Sequence, residues 1–119
     1  MALRSARNAG IETSKTVIDR AVGYVRECQN TDGGFRYQAN RGASGWPRSA
    51  AGVATLYYAG VYEDEAIDRG VTYLMDTALP GATSPSRAHA AYGHYYVVQA
   101  MYLAGGEHWA TWWPAVREQ

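Results

Sequence analysis

The sequence predicts an all-α chain of helical hairpins arranged in two layers. Three observations predict it. Charged, amphipathic stretches (14–29, 63–78, 111–119) alternate with nearly uncharged ones (2–9, 47–59, 87–104). The pair Ala-Gly follows a helix-friendly stretch three times, at Ala9-Gly10, Ala59-Gly60 and Ala104-Gly105. Glycine there supplies the left-handed residue that ends a helix without a Cβ clash. Finally, Ile18-Asp19-Arg20-Ala21-Val22-Gly23-Tyr24-Val25 reappears 49 residues later as Ile67-Asp68-Arg69-Gly70-Val71-Thr72-Tyr73-Leu74. A charged helix keeps one side in water, whereas an uncharged one must be covered on both sides or line a cavity. One of each makes a hairpin, and a hairpin recurring with a period of 45–50 residues reads as a repeat with inner and outer helices.

Each element follows from local chemistry. Residues 2–10 read as the last turns of a helix closed by Gly10. Thr13 or Ser14 can cap the next helix, in which Val17, Ala21, Tyr24, Val25 and Cys28 form one apolar stripe. Residues 30–46 form the longest irregular stretch, with Asp32-Gly33-Gly34 at its start. Pro47 suits the first turn of the following helix, whose run of Ala50, Ala51, Val53, Ala54, Leu56, Tyr57 and Tyr58 calls for burial nearly all round. Glu63-Asp64-Glu65 places acids at the positive end of the next helix, which runs to about Ala78. Pro80-Gly81 breaks it and residues 82–86 are loop. The stretch 87–104 carries Arg87 as its one charge. A last helix is expected to start near Thr111, since Pro114 is tolerated only within a first turn.

Composition bounds the function. The 119 residues are 47% apolar and 18% charged, enough for one folded domain spanning 1–119. Eleven basic and eleven acidic residues cancel, and no basic run exists to neutralise phosphates, which argues against nucleic acid as a partner. No apolar run is long enough to span a membrane. Residues 1–7 lack an apolar segment of the secretory type, and nothing indicates a localisation. Cys28 is the single cysteine, so neither an internal disulfide nor a cysteine-based zinc site is available. Ten Tyr and four Trp against one Phe point to a lined cavity or a wet boundary.

Arg20-Ala21-x-x-Tyr24-Val25-x-x-x-Gln29-x-x-x-Gly33-x-Phe35 resembles the QW repeat of squalene and oxidosqualene cyclases, with Phe35 in place of the motif's Trp. The copy Arg69-Gly70-x-x-Tyr73-Leu74 keeps the helical half and has Ala78 where the Gln belongs. The chain thus resembles the prenyltransferase/squalene cyclase α/α-toroid superfamily. The resemblance implies inner and outer helix rings around a cavity, with the Gln and the aromatic tying neighbouring repeats together. It also implies a partial toroid, about two and a half hairpins of a longer chain, with open ends that favour self-association. Arg20, Tyr24, Gln29, Gly33 and Phe35 are accordingly expected to be structural. Gln29 stands at a helix C-terminus, where its amide can reach backbone groups of a neighbouring repeat and Phe35 can pack on it.

Candidate chemistry is sparse. Squalene-type cyclases protonate their substrate with Asp-x-Asp-Asp, which does not occur here; Glu63-Asp64-Glu65 reads as helix-start acids. Protein prenyltransferases hold zinc through Asp, Cys and His, and no Asp-x-Cys occurs either. His89-Ala-Ala-Tyr92 faintly resembles their His-x-x-Tyr segments, but one His is not a metal site. No metal or other cofactor is expected. Tyr92, Tyr95, Gln99 and Tyr102 recur at i, i+3, i+7 and i+10, one face of an inner helix. With His89 they are the candidate ligand-binding set, for a hydrophobic or isoprenoid ligand held against aromatic faces. The alternative is that these rings pack between layers. Trp109, Trp112 and Trp113 read as core of the last helix or as partner anchors.

Three functions are compatible with this sequence. The first is a non-catalytic repeat domain with a binding or structural role. The second is part of an isoprenoid cyclase or prenyltransferase whose catalytic residues lie outside this segment. The third is a glycan-binding module built on the Tyr and Trp surplus.

Overall fold

The computed structural model describes residues 2–12, 14–39, 41–79 and 90–117, with residues 2–4 and 90 described by backbone alone. Among the described residues six helices make up the regular structure: α1 (Ala2–Asn8), α2 (Lys15–Glu27), α3 (Trp46–Tyr58), α4 (Glu65–Thr77), α5 (Ala90–Ala104) and α6 (Gly106–Arg117). Among the described residues no strand forms, and two isolated antiparallel bridges, Gln29 with Phe35 and Gln38 with Arg41, are the only β-type pairing. The chain is therefore all-α.

α3 is the hub. It packs most extensively against α5, next against α4 and less against α2, while α6 closes onto α5 and α4. Its lack of charge after Arg48 makes this possible: Trp46, Pro47, Ser49, Ala50, Val53, Ala54, Leu56 and Tyr57 are all buried. α4 contributes a one-sided stripe, Ile67, Gly70, Val71 and Leu74, at the spacing that puts them on one face. Val97, Ala100 and Met101 from α5 and Trp112 from α6 complete the core. Burying one such aliphatic side chain contributes about 1.5–3 kcal/mol.

The helix ends follow the expected chemistry with specific changes. Gly10, Gly60 and Gly105 all have positive φ (86°, 91° and 63°), as terminators in the left-handed region require. Ser14 occupies the N-cap of α2 without a side-chain hydrogen bond, and Thr13 lies outside the described residues. Asp64 is a true cap, its Oδ1 accepting from the Ala66 amide at 2.8 Å.

Two expectations need correction. The last helix begins at Gly106, directly after α5, and not near Thr111. Pro114 therefore lies inside it rather than in its first turn. A Pro there removes one helical hydrogen bond and costs about 3 kcal/mol. Trp112, fully buried beside the half-buried Trp109 and Val116, holds that helix against the core in spite of it. The apolar stripe of α2 is the second. Its helix has no buried residue, and Val17 and Tyr24 are exposed; Cys28, at the C-cap, is the only member of the stripe inside the core. α2 packs only lightly on α3, with Val22 and Val25 half-buried against the core, so most of the stripe stays outside it. The loop predicted at 82–86, with Arg87 and His89, lies outside the described residues.

Candidate functional site

Among the described residues, the segment 28–45 is the most densely hydrogen-bonded part outside the helices. The backbone turns back on itself after α2: the Asn30 amide donates to Gly34 O at 2.8 Å, and the Arg36 amide to Cys28 O at 2.9 Å. Asp32 Oδ1 accepts from the Gly34 amide at 2.9 Å and from the Ser44 hydroxyl at 2.7 Å. Asn30 Nδ2 donates to Ser44 Oγ at 2.8 Å, and Arg36 donates to Asn30 Oδ1 and to the carbonyls of Glu27 and Ala39. Gly33, at φ 89°, has no room for a Cβ because its backbone lies on the Arg69 carbonyl of α4.

Gln29 links this loop to α4. Its Nε2 donates to Gly33 O at 3.0 Å within the loop and to Ala66 O at 2.8 Å in the first turn of α4. Arg69 returns the contact, donating to Asn30 O at 2.9 Å. Arg26 pairs with Asp64 at 2.8 Å across the same junction. The Ala66 amide and Arg26 hold the Asp64 carboxyl below its ordinary range. Phe35 is 2% exposed and sits between two helices. A Cβ at Gly52 of α3 would meet its ring at 2.8 Å, and one at Gly70 of α4 would meet it at 3.4 Å. Its amide donates to Ser49 Oγ at 2.8 Å, and that hydroxyl donates to Gly45 O at 2.8 Å. Gln29, Gly33 and Phe35 thus come together at the start of α4, while Arg20 and Tyr24 of the same motif stay exposed.

The tyrosine face of α5 is different. Tyr92, Tyr95 and Tyr102 are 47%, 66% and 68% exposed, so in this chain they do not pack between layers. Tyr96 makes edge contacts with both Tyr92 and Tyr95, and Tyr102 meets Trp109 edge-on at 5.5 Å. Gln99 accepts from the Tyr58 hydroxyl at 2.6 Å and donates to Tyr95 O at 3.0 Å. That amide is engaged between α3 and α5. His89 lies outside the described residues. Gly93 of α5 gives its space to the Trp46 indole, which also meets His94 at 5.3 Å. Among the described residues no three His, Cys, Asp or Glu side chains gather where they could hold a metal ion.

Sequence reasoning missed Asn30, Ser49, Gly52, Arg69 and Gly70 as partners in the joint. Glycines inside otherwise helical patterns were the available signal, since a helical Gly has a propensity cost that close approach can offset. Also unforeseen is a groove of about 820 Å³ beside the joint, reaching from α2 across the start of α3 to Tyr73 and Tyr92.

Comparison with protein-family models, with curated proteins and with solved structures gave no match.

Proposed function

We propose that this chain is a non-catalytic helical-repeat segment of the prenyltransferase/squalene cyclase-like toroid type, with a structural and binding role. The observation that carries this reading is the Gln29 amide. It spans from Gly33 O to Ala66 O, joining the loop of one hairpin to the outer helix of the next, with Phe35 buried beside it. The Gln29 amide nitrogen and the Gly33 carbonyl are both engaged in that joint, which supports a structural role for the motif's second half. Pairing of the two uncharged helices, α3 on α5, with α4 and α6 against them supports the reading of inner and outer layers.

The exposed tyrosine face of α5 is the binding surface in this reading. It takes either a further repeat, in a second copy of the chain, or a hydrophobic ligand of isoprenoid type. Sedimentation equilibrium of the 119-residue chain tests it: self-association that weakens on Tyr95→Ser and Tyr102→Ser substitution is expected. A clean monomer at high concentration, with no lipid retained in native mass spectrometry of protein from its host, would refute the binding role.

A further inference from the structure

The groove beside the joint is lined by aromatic and aliphatic surface along most of its length, and its polar end is cationic. Arg48 carries that charge. It gives one hydrogen bond, from Nη2 to Ala43 O at 2.9 Å, and its Nε is buried without a partner. Arg36 also lines the groove and has a buried Nε without a partner, though its other nitrogens hold the loop. Among the described residues neither arginine has a carboxylate within ion-pair distance; the single ion pair there is Arg26 with Asp64. Asp32, the acid acting on nearby Tyr73, is turned to the Gly34 amide and the Ser44 hydroxyl and does not line the groove.

Two further features favour an anion at this end. Arg48 stands in the first turn of α3, whose N-cap is Gly45, a residue with no side chain to satisfy the helix's first amides. Gly45 also makes room for the guanidinium: a Cβ there would meet Arg48 Nη2 at 2.8 Å and Cζ at 2.9 Å. The preceding helix, α2, lines the groove through Tyr24 and Val25, and its two acids, Asp19 and Glu27, are not among the lining residues. An unpaired, partly buried guanidinium is stabilised by a carboxylate through charge-assisted, bidentate hydrogen bonds. The volume suits a small molecule.

We propose that this groove binds a carboxylate-headed apolar molecule, its head on Arg48 and the start of α3 and its body along Tyr24, Val25 and Thr55. This goes beyond the repeat-segment reading and does not depend on it, because it involves none of the α5 tyrosines used there except Tyr92 at the groove's margin.

The test is titration calorimetry with dodecanoate below its micellar concentration and with dodecanol as the neutral counterpart. The wild-type chain is compared with Arg48→Gln, Gly45→Ala and the exposed control Arg41→Gln. Dodecanoate is expected to bind at least tenfold more tightly than dodecanol. Arg48→Gln and Gly45→Ala are expected to weaken dodecanoate at least tenfold and dodecanol less than twofold, with Arg41→Gln unchanged. Circular dichroism reports whether each variant is folded, and Gly45→Ala, at an extended backbone position, carries the test if Arg48→Gln is not. Equal binding of the acid and the alcohol, absence of acid binding, or acid binding indifferent to both substitutions overturns the proposal.

Discussion

α3 and α5 pack against each other, and neither carries a charged side chain after its first turn. α3 is covered on both sides: α5 lies along one, α4 and the 28–49 joint along the other, and eight of its side chains are buried. α5 is covered by α3 and α6 through Val97, Ala100 and Met101, while Tyr92, Tyr95, Val98, Tyr102 and Leu103 face outward. Similar sequence character therefore meets two environments. What differs is the partner that the joint supplies. After α2, Gln29 and Phe35 fold the loop back between α3 and α4; after α4, Ala78 stands at the Gln position and provides no such amide. An uncharged helix without its joint keeps an aromatic face available, and the proposed binding role rests on that face.

The comparison can be broken by substitution, beginning with the ring that covers α3. Phe35→Ala removes a buried ring between Gly52 and Gly70 and is expected to cost about 3–5 kcal/mol in urea denaturation. A loss below about 1 kcal/mol would show that the ring is not part of the core. Gly70→Ala comes next. Its Cβ would lie 2.5 Å from Val53 Cγ2, so overpacking outweighs the gain in helix propensity, and a net loss of about 1–2 kcal/mol is expected. Gly23→Ala in α2, where a Cβ meets nothing within 4 Å, should instead stabilise by about 0.5–1 kcal/mol.

Asp64→Ala is expected to cost about 1 kcal/mol, chiefly the helix cap, because the exposed pair with Arg26 adds little. The sign with pH is fixed by the lowered carboxyl of Asp64. Its contribution is present above the ordinary carboxylate range and disappears as pH falls through its own lower value. Denaturation curves of wild type and Asp64→Ala should therefore converge in acid; a gap that persists there would contradict the assignment. Smallest is the effect on folding of Tyr95→Ser with Tyr102→Ser, within about 0.5 kcal/mol because both rings are exposed. A large loss of stability would mean that these rings are packing elements and the contrast between α3 and α5 is mistaken.

The all-α character and most helix positions were legible because period and terminators are local. So were Gln29, Gly33 and Phe35, which lie on one continuous stretch. Their partners were not: Ser49, Gly52, Ala66 and Arg69 reach the joint only through the crossing of α3 and α4 over the loop. Pro114 as a local breaker places the start of α6 too late, whereas burial of Trp112 decides that helix. The groove was invisible for the same reason as the joint's partners, since Tyr24, Arg48 and Tyr73 meet only in three dimensions.

Hydrogen exchange of wild type against Gln29→Ala tests the joint most directly. The Gln29 amide holds Gly33 O and Ala66 O together, so its removal is expected to lower protection in residues 28–36 and in the first turns of α4 by the same free energy, about 1–3 kcal/mol. Loss of protection confined to residues 28–36, with α4 unchanged, would contradict the claim that this residue couples the loop to α4.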